Sequence, residues 1–499
     1  MPIMSCPASL LVLIAATLAV LVIWLRWRRR NRRLLELAAM LPGPPALPVL
    51  GNALLFTASP SEQLKRLEEI MHKYGQYVKF WMGSDLNILV GNPEDIKLIF
   101  SSNKVQDKGP VYENLKEILG PGLFTGGSVW RSHRKIATPS YNKQSVCQYE
   151  QVFNMEAAFL VQTLSSKDPK QTFDIYWNAV HCTTQCVCQT LMGLSKLESQ
   201  NLKYLDEVVK NTQRFYSAMF GKITKWYLKI PPVYWLSGTK RTIDYGAKVC
   251  HNLSDEIIEK RRKALARTDG ADHRYLSIVD NFLLSGDFSE EEIRQETFTA
   301  FTTSQEASAK ILSAVFVFLA HLPEWQDKVY NEILEHLGPE DDFITESHLK
   351  QLHSLDMVYK EVLRYMSIGP LIQRTVQQEI TIDSGRITLP VGMSVVIPIH
   401  ILHRDPQYWD EPNKVKPERF LPENVKTRNP NAFVPFSSGA MDCLGRVFGT
   451  RLIKTVVVRV LRHLRLEADG RLEDLDIQIA ISVRFANGYN LRVAPRTHK

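Results

Sequence analysis

The sequence predicts a mainly α domain with small β-sheets (an α+β fold) behind one N-terminal transmembrane helix. Three observations predict it. Residues Pro7 to Leu25 form a 19-residue stretch without a charge, followed at once by a run of arginines. Helix-periodic patterns dominate the middle of the chain, the longest from Glu290 to His321. Strand-like segments are short and lie mostly near residues 77–90 and 379–397.

The apolar stretch would span about 28 Å as a helix, close to the hydrocarbon thickness of a bilayer. Trp24 and Trp27 fall where an interfacial aromatic belt would lie. A cleaved signal peptide carries its positive charge before the apolar run. Here the order is reversed, and basic residues beside a short span stay on the cytoplasmic side. Residues 1–33 therefore read as an uncleaved signal anchor with an arginine stop-transfer cluster. The body then faces the cytosol from the endoplasmic reticulum membrane. Residues 34–52 read as a proline-rich linker, stiffened at Leu41-Pro42-Gly43-Pro44-Pro45-Ala46-Leu47-Pro48. Residues 53–499 read as one soluble domain.

Composition removes several function classes. The chain has 499 residues, 44% hydrophobic and 23% charged, which is ordinary globular usage. Disordered chains, fibrous repeats and polytopic transporters are excluded. The net charge is +8, but six arginines (Arg26, Arg28, Arg29, Arg30, Arg32 and Arg33) sit in one octet. The rest of the chain is close to neutral, whereas a nucleic-acid binder carries its excess on the folded domain. No nucleic-acid partner is expected. The seven cysteines are odd in number and unevenly spaced, so they make no disulfide framework. Cys182, Cys186 and Cys188, near His181, lack the spacing of a zinc site.

Individual elements follow from local signals. Tyr77–Met82 and Asn87–Val90 read as strands around the Gly83-Ser84-Asp85 turn. Ser289 and Glu292 form a capping box at the start of the long helix, and Pro323 lies just past its end. Glu379–Ile382, Arg386–Leu389 and Ser394–Ile397 read as strands, Val447–Leu464 as an amphipathic helix, and Asn487-Gly488 as a late hairpin turn. No nucleotide-binding or hydrolase signature occurs.

The informative segment is Phe436-Ser437-Ser438-Gly439-Ala440-Met441-Asp442-Cys443-Leu444-Gly445. Gly439 permits a tight turn, and Gly445 permits close backbone approach to something flat or bulky. A helix N-terminus behind the sulfur favours its thiolate. Such a cysteine is a nucleophile, a haem ligand or an inert buried residue. A nucleophile needs a base nearby, and none is evident locally. A haem ligand needs no companion, since the porphyrin supplies the other donors.

This segment resembles the cysteine loop of the cytochrome P-450 superfamily, usually F-x-x-G-x-R-x-C-x-G, with Phe436, Gly439, Cys443 and Gly445 in place. Further motifs follow in order. Trp130-x-x-x-Arg134 is similar to the helix that meets a haem propionate. Glu361-x-x-Arg364 and Pro417-Glu418-Arg419-Phe420 are similar to the family's internal ion-pair triad. Arg374 sits where another propionate partner is often found. The anchor and proline-rich spacer resemble the microsomal class. The stretches Trp130-Arg131-Ser132-His133-Arg134-Lys135 and Leu402-His403-Arg404-Asp405-Pro406 resemble the animal family-four branch, whose members oxidise fatty acids, related lipids and foreign compounds.

The resemblance implies a membrane-anchored haem-thiolate monooxygenase. It would hydroxylate a small apolar substrate with dioxygen and electrons from an NADPH-dependent flavoprotein reductase. The reductase would dock near the cysteine face, with Arg446 helping to steer it. Cys443 would ligate iron, with Trp130, Arg134, Arg374, Phe436, Gly439 and Gly445 around the haem. Glu306 and Ser308 would carry protons. Three departures stand out. Met441 replaces the arginine two residues before the cysteine. Thr303-Ser304-Gln305-Glu306-Ala307-Ser308 replaces a pattern near [AG]-G-x-[DE]-T-T, so Ala307 stands where a proton-delivering threonine is expected. Thr303 occupies the position of a haem-bonding glutamate, so no covalent haem link is expected. The departures leave two alternatives: a haem-thiolate hydroperoxide isomerase or dehydratase that needs no reductase, and a catalytically impaired haem-binding protein.

Overall fold

The computed structural model describes residues 7–267, 276–338 and 343–496. The predicted apolar stretch lies in one helix, α1 (Pro7–Arg30). Eleven of its 19 side chains, Trp24 included, lie outside the described residues, as does Cys6. Among the described residues no single helix is long and apolar enough to cross a membrane. Trp27 stacks edge-on against Trp81 of the domain, with ring centroids 6.0 Å apart. The spacer begins as a further helix, Arg32–Ala39, before the chain extends through residues 42–46.

The domain is built around α7 (Glu290–His321). Its N-terminus carries the expected capping box, Ser289 to Glu292, and the next helix begins at Pro323. Packed on it are α4 (Tyr176–Thr190), α6 (Thr239–Arg267), α8 (His353–Tyr365) and α9 (Arg446–His463). Also near the site are α2 (Trp130–Ala137), α3 (Glu150–Ser165) and α5 (Leu205–Thr224). A charge-rich surface helix cannot be buried on all sides; α7 is apolar enough from Phe298 to Ala320 to form the axis of the main core.

The sheets are small. One has four strands in the order β1 (Tyr77–Met82), β2 (Asp85–Val90), β7 (Ser394–Ile397), β4 (Ile372–Thr375). Only the β2–β7 pair is parallel. A second sheet orders β3 (Phe173–Asp174), β11 (Asn490–Pro495) and β8 (Leu464–Glu467). Two strand pairs complete the set: β5 (Ile380–Ile382) with β6 (Ile387–Leu389), and β9 (Ile477–Ile479) with β10 (Val483–Phe485). The predicted strands are present within a residue or two at their ends.

The Asn487-Gly488 hairpin is corrected. The turn exists, with Gly488 at φ +85°, but the strands it joins do not pair. β10 pairs with β9, and β11 pairs with β8 and β3. A turn signal is local, whereas strand partnership depends on which residues elsewhere need the same backbone groups.

Candidate active site

The Cys443 loop is closed by its own backbone. The Cys443 amide donates to the Phe436 carbonyl at 2.9 Å, and Ser437 takes a left-handed φ of +61°. At Gly439, φ is +77° and a Cβ would lie 2.0 Å from the Phe100 carbonyl oxygen, so only glycine fits. Gly445 caps α9, and its amide reaches the cysteine sulfur. A Cβ there would meet nothing nearer than the Tyr141 ring at 3.8 Å.

Cys443 is exposed as a residue, yet protein surrounds its thiol closely enough that burial pushes the pKa up. Those two facts agree for an atom on the wall of an internal slot. Asp442 adds to the rise, while the Gly445 amide, Arg134 and Arg446 oppose it. The net direction is opposite to that expected from the helix N-terminus: in the free chain desolvation outweighs the Gly445 amide and the two arginines.

The opposite wall is α7. Every residue from Glu296 to Ala320 is buried except Thr303, Ser304 and Ala307, which share one helix face. The Ser304 hydroxyl bonds the Tyr141 hydroxyl at 2.9 Å. One tyrosine ring therefore spans from the open face of α7 to the Cys443 loop.

The edge of the slot is cationic. Arg374 on β4 is buried, and among the described residues its side chain donates only to the Gln373 carbonyl (3.3 Å) and to Tyr112. Lys108 is bridged to Arg374 through the backbone, and its ammonium lies 4.7 Å from the Tyr112 ring. Burial, then Arg374 and Arg134, drive the Lys108 pKa well below the usual lysine range. Among the described residues no carboxylate pairs with either Lys108 or Arg374. Arg134 is committed elsewhere, donating to the Asp442 carbonyl (2.8 Å) and carboxylate (2.7 Å). Trp130, at the start of α2, is buried one helical turn before Arg134.

The remaining predicted residues separate. Arg364 makes a bidentate pair with Glu361 (2.8 and 2.7 Å), and Arg419 lies 3.5 Å from the same carboxylate, giving the expected triad. Ser308 is buried against α9, 3.8 Å from where a Gly449 Cβ would sit. Glu306 faces another way: it pairs with Lys310 and accepts the Ser482 hydroxyl at 2.9 Å. The structure thus joins Cys443 with Phe436, Gly439, Gly445 and Arg134; Trp130 lies one turn from Arg134, Arg374 lies beside Lys108 and Tyr112, and Glu306 and Ser308 meet different partners.

Sequence reading missed Lys108, Tyr141, Asp442 and Lys310. Lys310 had a signal, since a lysine four residues after a glutamate inside an apolar helix requires a buried pair. Lys108 had none, because Arg374 reaches it from the distant β4. Cys182, Cys186 and Cys188 are buried on α4. No group of three His, Cys, Asp or Glu side chains among the described residues could hold a metal ion.

A slot with a thiol on one wall, a helix face on the other and unneutralised cations at its edge fits haem. The porphyrin is flat, supplies four of the iron's donors and carries two carboxylates. Fold and site together thus define a haem-thiolate protein. The chain belongs to the cytochrome P450 family, whose family model matches residues 41–489. It is 30% identical over 475 residues to cytochrome P450 4d1 of Drosophila melanogaster, covering 90% of this chain and 92% of that one. Cytochrome P450 4V2 of Homo sapiens is 29% identical over 469 residues (90% and 89%), and cytochrome P450 4c3 of Drosophila melanogaster 27% over 492 (94% and 91%). The chain is a P450 monooxygenase resembling family four, with haem as its cofactor.

Proposed function

We propose that the chain is a membrane-anchored monooxygenase of the endoplasmic reticulum. It hydroxylates a small apolar substrate (a fatty acid, lipid, hormone-like or foreign compound) with dioxygen and electrons from an NADPH-dependent flavoprotein reductase. One observation carries the reading: Cys443 is exposed, Tyr141 links its loop to the only accessible stretch in the buried middle of α7, and buried Arg374 and half-buried Lys108 have no carboxylate partner among the described residues. Bound haem supplies the dioxygen activation, which a cysteine thiolate promotes. The chain's own residues do the rest. Cys443 holds the iron, and Gly445 and α9 present amides behind the sulfur. Arg374 and Lys108 balance the cofactor's carboxylates. Thr303, Ser304 and Ala307 form the ceiling under which a substrate lies, and the buried apolar wall around them excludes water. The charge-free Pro7–Leu25 stretch and its arginine cluster support the anchor.

The decisive measurement is the carbon monoxide difference spectrum of the reduced protein. A strongly red-shifted Soret band is expected from the intact protein and is absent after Cys443→Ala. A colourless protein when haem is amply supplied overturns the reading. Ala307 favours a second reading, because it leaves that part of the slot without a hydroxyl: rearrangement of a substrate hydroperoxide with no reductase. Turnover of a fatty-acid hydroperoxide without NADPH supports this alternative; strict dependence on NADPH and reductase removes it.

A further inference from the structure

Two turns into α7, a carboxylate is held inside the protein by groups from two other segments. Glu296 is fully buried. Its Oε1 accepts the Leu123 amide at 2.8 Å and bonds Nδ1 of His133, also buried, at 2.7 Å. His133 lies on α2, one residue before Arg134, and its ring stacks on Phe288 with centroids 4.2 Å apart. Nε2 of the same ring is 3.7 Å from Glu292, which is itself committed to the Ser289 cap. Among the described residues Oε2 of Glu296 has no hydrogen-bond partner. Burial raises the Glu296 carboxyl pKa, and His133 and the Leu123 amide oppose the rise. No step of the proposed reaction uses this group, and a carboxylate so deep is costly to keep.

The Leu123 amide belongs to a glycine-rich loop, residues 120–127. Within it Gly122 and Gly126 exchange two backbone hydrogen bonds, both 2.8 Å. Each is glycine for its own reason. At Gly122, φ is +143° and a Cβ would overlap Oε1 of Glu296. At Gly126, φ is +79° and a Cβ would lie 2.7 Å from Cγ of Lys108. The doubly bonded pair therefore has the carboxylate against one end and the Lys108 stem against the other. Between the two glycines, Phe124 brings its ring to 5.9 Å from the Lys108 ammonium and 5.9 Å from the Tyr112 ring. With Tyr112 at 4.7 Å, the ammonium is boxed by two aromatic rings.

We infer that Glu296 is a positioning residue: by pinning the 120–127 loop through the Leu123 amide, it holds Lys108 at the slot edge, where the haem carboxylates bind. Without the carboxylate the Leu123 amide is buried with no acceptor. The loop then shifts, and neither the Phe124 ring nor the Gly126 backbone confines the lysine. His133 fixes the carboxylate from the other side and couples the loop to α2. The inference rests on the haem-binding role proposed above for Lys108, but it is decided by the coupling between two residues.

The test is a double-variant cycle on haem loss to apomyoglobin, with Glu296→Leu and Lys108→Met made singly and together. Side chains that act independently contribute additively, whereas one that acts through the other does not. Glu296→Leu is expected to release haem about fivefold faster than the wild type. Once Lys108→Met is present, it should add less than about a factor of two. Glu296→Gln keeps an oxygen for the Leu123 amide and is expected to lose haem at the wild-type rate. Resonance Raman spectra of the haem-loaded protein give a second readout. The propionate bending bands should shift in Glu296→Leu, in the same direction as in Lys108→Met, and stay in place in Glu296→Gln. Equal acceleration by Glu296→Leu in both backgrounds marks general loosening and overturns the inference. So does a wild-type rate in Glu296→Leu, or a Glu296→Gln protein as impaired as Glu296→Leu. If Glu296→Leu does not fold, Gly122→Ala, whose Cβ displaces the same carboxylate, repeats the cycle with the same expected and overturning results. A Lys108→Met protein that keeps haem as firmly as the wild type removes the haem role of Lys108 and this inference with it. A wild type that takes up no haem defeats the proposed function as well, before any variant is compared.

Discussion

Arg134 grips Asp442 twice, once at the carbonyl (2.8 Å) and once at the carboxylate (2.7 Å), so α2 is tied to the residue immediately before the proposed iron ligand. The tie has two opposed effects on haem. It steadies the Cys443 loop, and it spends on an internal carboxylate a guanidinium that the cofactor's carboxylates would otherwise attract. Asp442→Asn keeps the side chain's volume and removes its charge. Because the loop is already closed by the Cys443–Phe436 backbone bond, the electrostatic effect should win. Haem loss to apomyoglobin is expected to slow by roughly tenfold, corresponding to about 1.4 kcal/mol. Faster loss would mean that the tie matters more to the loop than to the charge balance.

Lys108 and Arg374 should respond in opposite directions with and without cofactor. In the free chain burial, and after it the neighbouring charges of Arg374 and Arg134, disfavour a charged Lys108. A hydrogen bond involving a charged group contributes about 1.5–3 kcal/mol. Lys108→Met or Arg374→Met should therefore release haem roughly ten- to a hundredfold faster, since about 1.4 kcal/mol is a factor of ten. Without haem, Lys108→Met should unfold at the same temperature or higher. A lower melting temperature in both forms would mark Lys108 as an ordinary core residue.

Local signals made much of this legible in sequence. The capping box at Ser289, Pro323 beyond the helix end, and the glycines flanking Cys443 are each decided within a few residues, and the structure keeps them. The slot's edge was only half legible. Arg374 and Trp130-x-x-x-Arg134 carry a family pattern, but Lys108 enters only because its backbone bridges Arg374. Which way Glu306 faces depends on Lys310 and on Ser482, which joins from the segment between β9 and β10. Likewise the Asn487-Gly488 turn announced a reversal but not that β10 and β11 belong to different sheets.

Glu361 should be indispensable to the fold. Its carboxylate and the Arg364 guanidinium have no exposed surface, and Arg364 also donates to the His403, Pro412 and Lys414 carbonyls. Glu361→Gln leaves that guanidinium without its counter-charge in a fully buried place. Breaking one side of such a pair costs about 3–5 kcal/mol, a large share of the stability of a typical domain. Urea unfolding of the variant should show that loss, accompanied by poor haem incorporation. A loss below about 1 kcal/mol would show that the carbonyls alone satisfy Arg364.

Acid sensitivity should trace to His403. Burial, then Arg364 and Arg404, lower its pKa from 6.5 to about 3. The ring is held neutral from both sides: Nε2 accepts the Val434 amide at 3.0 Å, and Nδ1 bonds the Ser367 hydroxyl at 2.9 Å. Between pH 6.5 and 3 the unfolded chain binds this proton and the folded chain does not. Its contribution is therefore complete above pH 6.5 and is lost progressively as pH falls toward 3. At 1.36 kcal/mol per pKa unit the loss is about 2 kcal/mol by pH 5. His403→Gln retains hydrogen-bonding capacity but cannot titrate. Urea unfolding from pH 7.5 to 5 should show a slope of stability on pH that is about one proton shallower in the variant near pH 5.5. Equal slopes would mean that His403 titrates normally in the folded chain and that another group sets the acid limit.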